Sequence, residues 1–497
     1  MQGSIFCKNT IIPSLCLALF LYLPACKAAQ QTGNEDRMAQ RLSDAYERYR
    51  EATLSDRRFK YESVVNLVTQ RTGGFKVEEI GKSVEGKSVY QMTLGNGKTK
   101  AMLWSQMHGN ESTATMALFD MFNFLEGRND GFDDIRQKLL SKLTLRFIPM
   151  VNPDGMDQWI RRNALDIDLN RDALALASPE AVLLKNARDQ FSPDFGFNLH
   201  DQQIYYTAGE TRTPATISVL APAYNFETEV NEVRKKSMQV IVGMNKLIQE
   251  VAPGHVGKYD DAFEPRAFGD NFQKWGTSTI LIESGGYPND PEKQYIRKLN
   301  FMIMLYALLE IADQEYTAYS LDEYYSIPDN ATRLMDLIIR NLPLSHLGHS
   351  YQVDLGIRRR ETDANGSYYV TGAIDDLGDL SIFYGYEELD AKDLEIVEGK
   401  IFETEFDKAG DISKEQALAL LRQGYLAVKV KESQDRELYD LPIWVLKNAK
   451  SYPIGNRTGN NPNFYLAKNG ALKYAVLNGY LIDLEKPAPI GLKMRVL

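Results

Sequence analysis

Apolar residues recur along the chain in two rhythms, and the alternation between them predicts most of its elements. Short apolar runs bounded by turn residues read as buried strands, and three- and four-residue spacing reads as helix. Strands are expected at Val89–Leu94, Ala101–Trp104, Leu143–Val151, Phe195–Leu199 and Thr277–Ile282. Between them, Ala114, Ala117, Leu118, Met121, Phe122 and Leu125 mark one helix. Residues 227–251 and Tyr295–Ile311 mark two more. Ahead of these lie a charge-rich helix over Arg37–Thr53 and a better-buried one over Tyr61–Val68. Asn96-Gly97 sits between two strands and predicts a hairpin there. Strands alternating with helices give an α/β unit with parallel strands.

Beyond about residue 320 the pattern changes. Ser367–Gly372 and Leu380–Gly385 are alternating patches of β character. One helix stands out, Lys414–Gln423, with Ser413 and Gln416 as a capping box and Gly424 as its stop. The expected organisation is a catalytic unit over 36–315 and a smaller, mostly β accessory domain over 320–497.

The leader has its own pattern. Lys8 precedes an apolar run from Ile11 to Leu23, too short for an ordinary membrane span. Residues 1–28 therefore read as an export signal. Leu23-Pro-Ala-Cys26 resembles a bacterial lipobox, with Pro24 an atypical member. That reading gives a periplasmic or cell-envelope lipoprotein anchored through lipidated Cys26. The alternative is cleavage near Ala28 and secretion.

Composition narrows the chemistry. The 497 residues carry a net charge of −10, which argues against a dedicated nucleic-acid partner. The three cysteines are Cys7, Cys16 and Cys26, so no thiolate ligand and no disulfide is available afterwards. A metal site in the remainder must use His, Asp and Glu. The five histidines are His108, His200, His255, His346 and His349. His108 and Glu111 stand at the end of one predicted strand, and His200 and Glu283 each follow another. If those strands are parallel, all four groups project from one carboxyl edge, where open α/β sheets place ligands. Nitrogen plus carboxylate is a donor set suited to zinc.

Seven short motifs occur in order: Gly81–Gly86, His108-Gly-Asn-Glu111, Asn152-Pro-Asp-Gly155, Arg161-Arg-Asn163, Asp168-Leu-Asn-Arg171, Leu199-His200 and Ile282-Glu-Ser284. Together they make residues 40–312 resemble the zinc metallocarboxypeptidases, the carboxypeptidase A-like family. The pattern His-Glu-x-x-His of another metallopeptidase group is absent. The resemblance implies a three-layer α/β/α fold with a mixed central sheet. It implies an enzyme that removes C-terminal residues from peptides with one Zn²⁺ per chain; with the leader, the expectation is an exported bacterial member. In this resemblance His108, Glu111 and His200 hold the metal and Glu283 is the general base. Arg161 faces the oxyanion, and Asn170 and Arg171 bind the substrate carboxylate. Arg162 competes with Arg161 for its role, and the spacing to Asn163 favours Arg161. A zinc amidase or deacylase, or a cell-wall peptide hydrolase, is the alternative on the same fold.

Two departures from the family pattern bear on specificity. Asn110 stands where digestive members carry arginine, and no catalytic tyrosine is assigned, because Tyr259 falls early for one. Residues 263–275 are expected to shape the side-chain pocket. Arg266 and Arg212 are candidates for favouring an acidic side chain, or else surface arginines. Oligomeric state is not legible.

Overall fold

The computed structural model describes residues 38–497 apart from 365, 435, 454 and 488–490. The export signal expected over 1–28, with Cys26, lies outside the described residues.

The first strands are β1 (Lys76–Lys82), β2 (Ser88–Leu94), β3 (Thr99–Ser105), β4 (Leu143–Ile148), β5 (Phe195–Asp201), β6 (Tyr206–Ala208), β7 (Ile217–Leu220), β8 (Val256–Lys258) and β9 (Ser278–Ser284). All but β6 form one eight-stranded sheet, ordered β1-β2-β4-β3-β5-β9-β7-β8. The middle four, β4-β3-β5-β9, are parallel. The flanks are mixed: β2 is antiparallel to β4 and β7 to β9. Successive side chains on a strand face opposite ways. Accordingly Ala101 and Leu103 join Phe197, Leu199, Ile280 and Ile282 in one core, while Met102 and Trp104 join Phe268 and Phe272 in the other. Trp104 packs on Phe272 with ring centroids 4.3 Å apart. Helices Thr113–Glu126, Glu232–Val251 and Gln294–Asp313 contribute to the first core, and Pro179–Phe191 and Phe268–Lys274 to the second. The result is three layers, with the central strands buried on both faces as parallel strands must be.

Two helices leave the carboxyl edge of the sheet, Thr113–Glu126 and Gln294–Asp313. They are clamped by Arg297 and Asp120, whose side chains are fully buried and 2.5 Å apart. Arg297 also donates to the carbonyls of Leu54 and Glu51. Burial pushes the Asp120 carboxyl up to about 6, against the pull of Arg297. Such a pair is costly to break, because the surviving charge is left unpaired, at about 3–5 kcal/mol.

The expected hairpin at Asn96-Gly97 does not form. β4 lies between β2 and β3, so those two strands are not neighbours. The turn's own donors explain why. Asn96 N–H goes to Leu140 O and Gly97 N–H to Leu143 O, which dock the turn on the segment that begins β4. A turn signal specifies a reversal of the chain and not which strand fills the space beside it. The Asn152-Pro-Asp-Gly155 turn opens a short helix, Pro153–Gln158, with the Asn152 side chain accepting from Gly155 N–H.

The remainder is mostly β, as expected. β10 (Asn330–Thr332) pairs with β6. β11 (Leu334–His346), β12 (His349–Ala364), β13 (Ser367–Gly378) and β14 (Tyr384–Asp390) form a sheet ordered β13-β12-β11-β14. Smaller sheets and the helix Lys414–Arg422 follow, with the Ser413–Gln416 capping box in place. This unit packs on the first through polar contacts. Arg57 and Arg58 pair with Glu361, and Arg58 also with Asp363. Tyr205 Oη donates to Asp336 (2.7 Å) and Tyr386 Oη to the carbonyl of Ile204 (2.5 Å).

Candidate metal centre

His108 reaches the sheet edge through a tight exit from β3. Gln106 takes a positive φ of 49°, and its side chain donates to Gly109 O. Gly109 passes so close to Gly155 that a Cβ there would lie 1.9 Å from its carbonyl carbon. Only glycine permits that approach. The turn closes with Glu111 N–H on His108 O and then starts the helix Thr113–Glu126. His200 is the sixth residue of β5, directly opposite Glu283 in β9.

These residues converge. His108 Nδ1 lies 2.8 Å from Glu111 Oε1, and His200 Nδ1 lies 2.7 Å from Glu111 Oε2. The two Nδ1 atoms are 3.2 Å apart. The set His108, Glu111 and His200 offers ligand atoms all within 4.8 Å of one another, each residue buried.

Asp168 decides what His108 presents. Its Oδ1 lies 3.0 Å from His108 Nε2. A carboxylate only accepts, so the imidazole proton belongs on Nε2 and the lone pair of Nδ1 faces Glu111. Nδ1 and Oε1, two acceptors at 2.8 Å, are then stable only with a cation or a second proton between them. Burial works to lower the His108 pKa, but the Glu111 charge and the Asp168 hydrogen bond raise it above the ordinary value. Burial lowers His200, and its Nε2 has no hydrogen-bond partner among the described residues. Burial would raise Glu111, yet the two imidazoles hold it well below the usual carboxylate range. An acceptor set of this kind, two nitrogens and one carboxylate, fits Zn²⁺, which competes with protons for the same lone pairs.

The same Asp168 carboxylate joins two further candidates. Its Oδ2 accepts from Arg161 Nε (3.0 Å), and its Oδ1 caps the turn Leu169–Arg171 through Asn170 N–H (3.0 Å). Arg161 Nη1 lies 3.1 Å from His108 Nδ1 and 3.2 Å from Glu111, with 45% of the side chain exposed. Arg162 turns away to Asp166. Asn170 Oδ1 accepts from Phe268 N–H, which leaves its amide group as the donor end. Arg171 faces Glu264 at 3.2 Å.

Glu283 is half-buried, and its carboxylate has no hydrogen bond among the described residues. Burial, then the charges of Glu111 and Asp201, push it well above the usual carboxylate range.

Other candidates lie elsewhere. Arg266 is held by Glu264 (2.9 and 2.8 Å), and Arg212 pairs with Glu388 at 3.3 Å. His255 meets Thr216 Oγ1, and His346 meets Arg457. Tyr259, discounted by its position in the sequence, lies near enough to Glu283 to feel its charge. It follows β8, packs edge-on against Tyr206 at 6.1 Å, and its hydroxyl pKa is raised by burial and then by the Glu283 charge. Sheet order brings it there, because β8 flanks β7, and β7 pairs Ser218 with Glu283.

A mixed α/β sheet whose parallel edge carries a buried His-Glu-His group and a separate carboxylate defines a candidate metal site. Residues 61–232 match the family model described as zinc carboxypeptidase. An uncharacterized protein of Zymomonas mobilis is 31% identical over 144 residues, covering 28% of this chain and 37% of its own. A probable carboxypeptidase 2 of Trichophyton verrucosum is 26% identical over 187 residues, covering 36% and 33%. The chain thus spans about a third of the length of these curated relatives. Among solved structures, a metallo-carboxypeptidase from Burkholderia cenocepacia is 21% identical with a TM-score of 0.41, covering 51% of this chain and 68% of that one. One from Pseudomonas aeruginosa is 20% identical with a TM-score of 0.40, covering 52% and 70%.

Proposed function

We propose that the protein is a zinc carboxypeptidase, removing C-terminal residues from peptides with one Zn²⁺ per chain. The observation that carries this is the buried His108–Glu111–His200 group with Glu283 opposite His200 across β5 and β9. Zinc, when bound, polarises a carbonyl and lowers the pKa of its water toward about 7. The chain's residues supply the rest. Glu283 takes a proton from the attacking water and returns it to the departing amine. With no hydrogen-bond partner among the described residues, its carboxylate is free to do so. Arg161 is at the ligands and still exposed enough to meet a substrate carbonyl, where negative charge develops. The Asn170 amide and the Arg171 guanidinium, on one capped turn, bind the terminal carboxylate. Glu264 holds Arg171 until that carboxylate arrives. Asp168 orients both His108 and this turn.

The reading is tested by digesting a peptide library with and without a chelator, read by mass spectrometry. Loss of single C-terminal residues, abolished by the chelator, is expected, and peptides ending in an amide should resist. Equal cleavage of free and amidated ends would instead indicate an amidase or an endopeptidase.

Asp168→Asn should leave all three ligands in place yet weaken zinc binding by about 10–100-fold, the usual cost of losing a carboxylate behind a metal-binding histidine. Competition against a chromogenic chelator measures it. Unchanged affinity would remove Asp168 from the centre.

A further inference from the structure

We propose that Lys293 is a positioning residue for peptide hydrolysis, fixing Glu283 relative to the metal-binding group; this rests on the function proposed above. Its ammonium donates to Asp201 Oδ2 (2.9 Å) and to the carbonyl of Ser284 (3.0 Å). Asp201 directly follows His200, and Ser284 directly follows Glu283. Asp201 Oδ2 also accepts from Thr113 Oγ1 (2.6 Å), and Asp201 N–H donates to Glu111 Oε2 (3.1 Å). One ammonium–carboxylate pair thereby ties together the ends of the three elements that carry Glu111, His200 and Glu283.

Nothing local favours lysine at this position. Lys293 is the N-cap of the helix Gln294–Asp313. N-caps prefer Ser, Thr, Asp and Asn, whose side chains accept from the first helical N–H groups. A cation at a helix N-terminus meets the positive end of the helix dipole. The backbone is left-handed, with φ 52° and ψ 32°, which is uncommon outside glycine and asparagine. The residue is only 7% exposed, and a buried ammonium is costly unless paired. Four unfavourable choices meet in one residue beside the reacting groups, the pattern by which strain marks a functional position. Strand pairing does not need the lysine. The β5–β9 ladder already runs from Phe195↔Ser278 to Asp201↔Ser284. What Lys293 adds lies at the strand ends, where His200 and Glu283 project.

The test uses the full chain, with kcat, KM, zinc content and melting temperature measured for each variant on a free-carboxylate peptide. Lys293→Met keeps most of the length and removes the donor. It should keep zinc and KM while kcat falls by about 100-fold, the scale of a small misplacement of reacting groups. Lys293→Arg retains donors for both acceptors and should recover most of that loss. Asp201→Asn added to Lys293→Met should cost nothing further, because both changes break one bridge. Wild-type kcat in Lys293→Met overturns the proposal. So does an equal loss in the Met and Arg variants with zinc lost in parallel, which would mark a purely structural role. A wild type unable to cleave the peptide overturns the functional reading and this proposal with it. An active wild type with an unaffected Lys293→Met overturns this proposal alone.

Discussion

Glu283→Gln is expected to lower kcat by about 10²–10⁴-fold while zinc content and KM stay near those of the wild type. The substitution is close to isosteric, and the carboxylate it removes has no hydrogen bond to lose among the described residues. The β5–β9 ladder is backbone and is untouched. What disappears is proton-accepting capacity. Burial, with Glu111 and Asp201, raises the Glu283 pKa, while Arg161 and Lys293 oppose that rise. A group with a raised pKa accepts a proton only above that pKa, so activity should climb as pH rises through it. A divalent cation on the neighbouring ligands draws this limb back toward lower pH. The amide has no such titration, so the acid limb due to Glu283 should vanish in the variant. Steady-state kinetics across pH, with metal analysis of the same samples, measure both effects. A Gln variant with wild-type kcat would remove Glu283 from proton transfer. One that loses zinc in step with activity would show that the change disturbed the ligands instead.

The parts of this centre differ in how they are written in the sequence. His108 and Glu111 stand where an apolar strand gives way to a helical rhythm, and His200 and Glu283 each follow an apolar run. Local periodicity is enough to put such groups at strand ends, and a shared edge follows once the strands are parallel. Strand order is different. β4 enters between β2 and β3 because distant backbone groups, at Leu140 and Leu143, take up the donors of the Asn96-Gly97 turn. No pattern within either strand encodes that choice. Asp168 opens one of the seven motifs, but its hold on His108 spans 60 positions and on Arg161 only seven. Only the fold shows that one carboxylate serves both. Tyr259 is hidden in the same way, since its approach to Glu283 runs across β8, β7 and β9 and not along the chain. Lys293 carries a local signal, since a lysine just ahead of a long apolar helix contradicts N-cap preference. The packing of the C-terminal unit was equally silent. Its contacts pair single charges such as Arg57 and Glu361, which no periodicity connects.

His200→Ala should lose zinc outright. The effect should exceed that of Asp168→Asn, because a donor is deleted and not merely left without its orienting partner. Removing the orienting partner costs about 10–100-fold in affinity, so the ligand deletion should cost more than about 100-fold. The protein around the site has reasons to stay folded. His200 is 2% exposed, but it lies at the end of β5, beyond the apolar core formed by Phe195, Phe197 and Leu199. Its loss also removes one of the two imidazoles that keep Glu111 ionised, so Glu111 is left buried with His108 and Arg161 as its charged neighbours. His108→Ala should behave similarly for zinc and go further, since it also deprives Asp168 of the partner at 3.0 Å. Metal analysis after dialysis against a weak chelator, beside circular dichroism and melting temperature, distinguishes a folded apoprotein from a misfolded one. Folded His200→Ala that retains stoichiometric zinc would mean that the metal sits elsewhere. Metal-free wild type with full peptidase activity would show that hydrolysis does not depend on this centre at all.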